Sequence, residues 1–100
     1  MPLEYPAPVG GGTLAEHQAV REKVALFDVS HLGKILIKGA GAKEWANEIF
    51  TNDLNRIHSG QAQYSLLCNE AGGVIDDIII YCRSEDELLL ISNAANARSV

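Results

Sequence analysis

The fold is decided by one stretch of the sequence, Asn69-Glu70-Ala71-Gly72-Gly73-Val74-Ile75-Asp76-Asp77-Ile78-Ile79-Ile80-Tyr81. Its two glycines predict a turn, and the apolar run after them predicts a strand that is buried on both faces. Neighbouring strand residues point to opposite faces, so Asp76 and Asp77 cannot form a catalytic pair with each other. Because an ionised carboxylate in apolar surroundings must be paired or hydrogen-bonded, we expect each of the two to need a partner of its own.

Two helices are predicted before this strand. Thr13 and Glu16 match a capping box, which predicts a first helix that ends before Asp28. A second helix is predicted to bury one stripe of side chains, formed by Ala42, Trp45, Ala46, Ile49 and Phe50. The Gly39-Ala40-Gly41 segment ahead of it predicts a tight turn and not a dinucleotide-binding loop, because the third glycine of that motif is missing.

The remaining elements are strands. Residues 34–38, 61–68, 74–82 and 88–92 are rich in apolar and branched side chains, and a final helix is predicted to start near Asn93. The element order is therefore α-β-α-β-β-β-(α). Three successive strands joined by short turns predict the α+β class, a mostly antiparallel sheet with helices packed on one side.

Composition limits the function classes. The 100 residues carry a net charge of −5 without a run of Lys or Arg, which argues against nucleic acid and membrane surfaces as partners. No apolar stretch has the length of a membrane span and no signal peptide is visible, so a cytoplasmic location is predicted. Cys68 and Cys82 are interpreted as buried thiols, and the three histidines share no metal-ligand spacing, so no metal site is predicted.

The residues alone leave two interpretations of the carboxylates open. Asp77 shares its predicted strand face with Ile79 and Tyr81, and a tyrosine beside a carboxylate would suit a flat heteroaromatic ligand with polar edges. Alternatively, each carboxylate accepts hydrogen bonds from nearby donors and is structural.

Several spaced blocks of the sequence resemble the aminomethyltransferases of the glycine cleavage system, the T-proteins. The similarity extends over nearly the whole chain. Its blocks are Ala15-Glu16-His17, Val20-Arg21, Leu26 to Gly33 (Leu-Phe-Asp-Val-Ser-His-Leu-Gly), Thr51-Asn52-Asp53, Gly60 to Glu70, Gly72 to Asp77, and Ile91 to Asn96.

This resemblance implies an activity and a set of site residues. The family transfers an aminomethyl group from the lipoyl arm of the H-protein to tetrahydrofolate, giving methylenetetrahydrofolate and ammonia, without a metal or a tightly bound cofactor. Asp77 would be the key acidic residue, which orients the folate and assists proton transfer. Tyr64, Asn93, Leu32 and Tyr81 would contact the folate.

The resemblance also implies how much of the family's domain is present. Residues 1–100 are expected to form part of an N-terminal folate-binding domain whose family sequence continues beyond both ends, so the fragment alone is expected to be inactive. One alternative is another folate-binding relative, such as the iron–sulfur assembly factor or the folate domain of sarcosine-type dehydrogenases. The other is a truncated, non-catalytic interaction module that binds a partner or dimerises through unpaired strand edges and apolar surface.

Overall fold

The computed structural model describes residues 12–100 and has the predicted element order. Its helices are α1 (Gly12–Glu22) and α2 (Ala42–Ile49). Its strands are β1 (Gly33–Lys38), β2 (Ala62–Cys68), β3 (Val74–Ser84) and β4 (Glu87–Ser92). Single 3-10 turns occupy Leu54–Arg56 and Ala94–Asn96, the second in place of the predicted final helix. The α+β prediction is confirmed.

The four strands form one sheet in the order β1-β4-β3-β2, and every neighbouring pair is antiparallel. Short hairpins join β2 to β3 and β3 to β4. Strand β1 pairs with the other edge of β4, where Leu36 lies opposite Leu89. The connection from β1 to β2 contains α2, which therefore lies over one face of the sheet. Gly39 and Gly41 take φ values of 137° and 79° in this connection, a conformation that favours glycine, as the predicted tight turn requires.

The core lies between α2 and the sheet. Its members are Ala46, Phe50, Leu54 and Ile57 from the helical layer and Ile78, Ile80, Cys82, Leu88 and Leu90 from the sheet. Only one face of the sheet is covered in this way by the described residues. The prediction that β3 is buried on both faces is therefore wrong: Asp76 is buried together with Ile78 and Ile80, whereas Asp77 and Ile79 are exposed.

The predicted buried stripe of α2 is only partly correct. Ala42, Ala46 and Phe50 are buried, but Trp45 and Ile49 are exposed. The small alanine side chains let the helix lie close to the sheet along one line of i, i+4 and i+8 positions. Side chains to either side of that line remain at the surface.

The capping box predicted for α1 is not formed. The helix already includes Gly12, so Thr13 lies inside the first turn, where an N-cap side chain cannot act. Within residues 12–100, neither the Thr13 hydroxyl nor the Glu16 carboxylate bonds the backbone, and α1 contains no buried residue.

No helix of the described part is long and apolar enough to cross a membrane. Cys82 is a buried free thiol as predicted, whereas Cys68 is half-buried.

Candidate functional site

The two adjacent carboxylates of β3 lie on opposite faces of the sheet, as predicted. Asp76 points into the covered face and is 3% exposed, whereas Asp77 lies on the open face. Strand alternation causes this separation. The open face is therefore where Asp77 could meet a ligand.

Asp77 is held by two neutral donors. The Tyr64 hydroxyl donates to Oδ2 at 3.0 Å, and Asn93 Nδ2 donates to Oδ1 at 2.7 Å. Tyr64 reaches Asp77 diagonally, because Leu66 is the direct partner of Asp77 and Tyr64 pairs with Ile79 on the same face. The structure thus brings together three of the five predicted site residues: Tyr64, Asp77 and Asn93.

Asn93 also binds the buried carboxylate. Its backbone N–H donates to Asp76 Oδ2 at 2.9 Å, and its Nδ2 donates to Asp76 Oδ1 at 2.7 Å. Each aspartate has a partner of its own as expected, Tyr64 for Asp77 and Asn96 for Asp76, and the two share Asn93 as well. Asn93 directly follows Ser92, the last residue of β4, and its one carboxamide reaches both carboxylates.

Asp76 is stabilised as a carboxylate. Burial opposes its charged form, but hydrogen bonds from Asn93, from Asn96 Nδ2 at 3.1 Å and from the Asp77 backbone outweigh burial and hold its pKa below the ordinary value of 3.8. Asp76 is therefore an ionised acceptor at neutral pH. Sequence reasoning missed this role of Asn96, because only the folded turn after β4 shows that its side chain points back to β3.

Tyr64 is a proton donor over the whole physiological range. Its phenol donates to Asp77, which raises the pKa of Tyr64 above the ordinary value of 10.0, and desolvation adds to this shift. The phenol consequently holds the Asp77 carboxylate without competing with it for a proton.

The other two predicted site residues are Tyr81, farther along β3, and Leu32, directly before β1. Tyr81 is on the open face but four residues farther along β3, roughly 13 Å away at the usual strand rise. Leu32 precedes Gly33, which pairs with Ser92, the residue before Asn93. Leu32 therefore lies at the same end of the sheet as Asn93.

The loop that carries Leu32 is held by charged side chains. Lys34 Nζ donates to the carbonyl oxygens of Val29, Ser30 and Leu32 at 3.2, 3.1 and 2.8 Å. The Asp28 carboxylate accepts from the Ser30 hydroxyl at 2.6 Å and from its backbone N–H at 2.9 Å, and these bonds lower the pKa of Asp28. The Asp-x-Ser spacing was the available sequence signal for this turn.

A groove of about 820 Å³ lies elsewhere, between α1 and the segment that follows it. Its lining residues include His17, Phe27 and His31, and none of them belongs to the Tyr64–Asp77–Asn93 cluster. This groove is thus separate from the hydrogen-bonded carboxylates.

Comparison with known proteins decides the family. The family model described as the GCVT N-terminal domain matches residues 1–100. The chain belongs to this family. This membership confirms the resemblance to the T-proteins, from which the site residues were inferred.

Relatives and a solved structure agree with this GCVT membership. The chain is 57% identical over 100 residues to an aminomethyltransferase of Frankia alni and 54% identical to one of Mycobacterium leprae. It is completely covered in both matches but spans only 27% and 26% of those relatives. The crystal structure of the glycine cleavage system aminomethyltransferase T from Bartonella henselae matches 72% of the chain and 20% of its own length, with 35% identity and a TM-score of 0.68.

Proposed function

We propose that this chain supplies the folate-binding carboxylate of a tetrahydrofolate-dependent aminomethyltransferase. The observation that carries the proposal is the Asp77 carboxylate, which is held by Tyr64 and Asn93 on the open face of the sheet. Relatives that are 54% to 57% identical over the whole chain are named aminomethyltransferases, which supports the same assignment.

The proposed reaction moves one carbon from sulfur to nitrogen. The aminomethyl carbon on the lipoyl arm of the H-protein loses its bonds to sulfur and to the ammonia nitrogen. It gains bonds to two nitrogens of tetrahydrofolate, and methylenetetrahydrofolate is formed. The two protons that leave those nitrogens end on the lipoyl sulfur and on ammonia, so the step involves no net oxidation.

Asp77 has two tasks in this reaction. As a carboxylate it accepts a hydrogen bond from a folate N–H and fixes the orientation of the ring, and correct orientation supplies a large part of the rate acceleration in such transfers. It also exchanges protons with the reacting nitrogens as a general base and acid. Tyr64 and Asn93 keep both carboxylate oxygens in place while the outer lone pairs stay open to the ligand.

The other predicted residues complete the proposed contact surface. Tyr64 offers an aromatic ring beside the carboxylate, and Leu32 offers an apolar contact at the end of the sheet that carries Asn93. Tyr81 would contact a more distant part of the folate, because it lies farther along β3. The proposal includes no metal and no tightly bound cofactor, the lipoylated H-protein as partner, and a cytoplasmic location.

Calorimetric titration with tetrahydrofolate tests the proposal. The titration is run with this chain and with a protein of the relatives' length that carries it as N-terminal domain. Asp77→Asn is compared with Asp86→Asn, which removes one charge from the exposed β3–β4 turn at the opposite end of the sheet. We expect Asp77→Asn to weaken binding and Asp86→Asn to leave it unchanged.

Two results would contradict the proposal. One is binding that is equally tight in wild type and Asp77→Asn. The other is the absence of binding by both the short and the long protein while their circular dichroism shows a folded sheet.

A further inference from the structure

We infer that Asp76 is a positioning residue, which acts on Asp77 by fixing the carboxamide of Asn93. This inference rests on the function proposed above for Asp77. Asp76 itself points into the covered face and does not reach the open face where a folate would bind.

The hydrogens of Asn93 Nδ2 point to acceptors of the two aspartates: both carboxylates and, at 3.2 Å, the backbone carbonyl oxygen of Asp77. Each of the two shortest bonds measures 2.7 Å, one to Asp76 Oδ1 and one to Asp77 Oδ1. Ionised carboxylates are acceptors only, so the amide nitrogen must point between them. Rotation of the carboxamide by half a turn would place its oxygen against both negative groups. Asp76 therefore helps to select the orientation in which Asn93 donates to Asp77.

The Asp76 carboxylate is itself held in a fixed position. It is buried and accepts from the Asn93 backbone at 2.9 Å and from Asn96 Nδ2 at 3.1 Å, in addition to the Asn93 carboxamide. Its lowered pKa keeps it ionised at neutral pH. Within residues 12–100 neither Asp76 nor Asp77 takes part in an ion pair, so these neutral donors alone set the geometry.

The variant Asp76→Asn removes the negative charge of Asp76 and one of its two acceptor oxygens. One acceptor oxygen becomes an NH₂ group, which then faces one of the N–H groups of Asn93 or Asn96. Two donors cannot bond each other. An NH₂ group at the Oδ1 position leaves the Asn93 carboxamide without this acceptor, and one at the Oδ2 position does the same to the Asn93 backbone N–H, so Asp76 no longer holds Asn93 at both points. Asp77 keeps the Tyr64 hydroxyl but loses a constant donor on its second oxygen.

Nuclear magnetic resonance of the Asn93 side-chain amide tests the inference on this chain. In the wild type we expect two resolved, slowly exchanging protons. In Asp76→Asn their exchange should accelerate at least 10-fold and their shifts should approach those of the exposed Asn55 side chain. The matched control is Asp86→Asn, which makes the same substitution in the exposed β3–β4 turn at the opposite end of the sheet, and it should leave the Asn93 signals unchanged.

Unchanged Asn93 signals in a folded Asp76→Asn chain would overturn the inference. A second measurement applies if that variant does not fold. During acid titration of the wild type, the Asn93 Nδ2 signal should change with the same midpoint as the side-chain carboxyl carbon of Asp76. An Asn93 signal that follows only the Asp77 carboxyl carbon would refute a role for Asp76.

Folate binding distinguishes failure of this inference from failure of the proposed function. Asp76→Asn should weaken tetrahydrofolate binding several-fold, but less than Asp77→Asn. Wild-type affinity in Asp76→Asn, together with a lost Asn93 signature, would overturn the positioning role. Failure of the wild type to bind would count against the proposed function alone, because the Asn93 signature is measured without a ligand.

Discussion

Gly33→Ala should destabilise the chain through close contacts with Ser92 and Ala97. A Cβ atom built on Gly33 would lie 2.2 Å from Ser92 Oγ and 2.9 Å from the Cβ of Ala97. Gly33 pairs with Ser92 in the β1–β4 ladder, and Ser92 is 1% exposed, so its hydroxyl cannot move into solvent. The strands must separate or the Ser92 side chain must change rotamer.

The size of the destabilisation follows from two opposing effects. Forcing extra volume into a packed site costs about 1–3 kcal/mol. Replacing glycine in a strand with alanine gains about 0.5–1 kcal/mol through the lower entropy of the unfolded chain, and Gly33 does not have the positive φ that would forbid this gain. At the midpoints of these two ranges the clash outweighs the entropic gain, so we expect a net loss of about 1 kcal/mol in the free energy of unfolding.

Ser92→Ala provides the matched background for a double-mutant cycle. The Ser92 hydroxyl is buried and has no hydrogen-bond partner among residues 12–100, so its removal should be neutral or stabilising. In the Ser92→Ala chain, the closest of the contacts of the added Cβ atom is removed and the contact with Ala97, in the turn after β4, remains. The cost of Gly33→Ala should then fall by about 1 kcal/mol or more.

Urea unfolding of the four chains, followed by circular dichroism, measures the cycle. Equal m-values would show that the stability differences arise in the native state. A Gly33→Ala chain as stable as wild type would refute the reasoning. So would an identical loss in both backgrounds, since the loss would then not involve the Ser92 hydroxyl.

Three further predictions concern the carboxylates. In a protein of the relatives' length, Asp77→Asn should lower the rate of aminomethyl transfer about 100-fold or more, because a proton-transfer group is lost. Asp76→Asn should lower this rate less. The reverse ranking of the two variants in steady-state assays would contradict these roles. Because its folded-state pKa is depressed, Asp76 should contribute stability that is complete above its unfolded pKa of about 3.8 and is lost as the pH falls through the lower folded value. Urea midpoints measured against pH should therefore fall less steeply in acid for Asp76→Asn than for wild type, and parallel curves would argue against this linkage. The raised pKa of Tyr64 should return toward 10.0 in Asp77→Asn, which the phenolate absorbance of the two chains would show, and equal titrations would mean that the hydrogen bond to Asp77 is not formed in solution.

The sequence was sufficient for the strands but not for the layer that covers them or for the final helix, which is a single 3-10 turn. Apolar spacing located each strand to within two residues, because alternation and branched side chains are local signals. Burial of β3 on both faces could not be decided locally: Ile79 and Ile80 look alike in sequence, yet only Ile80 faces α2. Burial depends on which face the helix covers, and that is a property of the connection between β1 and β2.

The site shows the same division between local and long-range information. The separation of Asp76 from Asp77 follows from strand geometry alone and was correct. The shared use of Asn93 by both carboxylates depends on contacts between residues 16 and 17 positions apart. Such contacts are set by the register of β3 against β4, which no local pattern specifies.

A single irregularity in that register places Asn93 beside the aspartates. Ser84 pairs with Glu87 next to the turn, but Cys82 pairs with Leu88 because the register shifts between them. In the shifted register Ile79 lies opposite Ile91, and continuing this pairing by two residues brings Asn93 opposite Asp77. Continuing the Ser84–Glu87 pairing of the turn would instead bring Ala94 opposite Asp77. A slip of one residue would also turn every side chain of one strand to the other face. The bulge in the β3–β4 hairpin therefore decides which residue faces Asp77, although it lies at the opposite end of the sheet from the site.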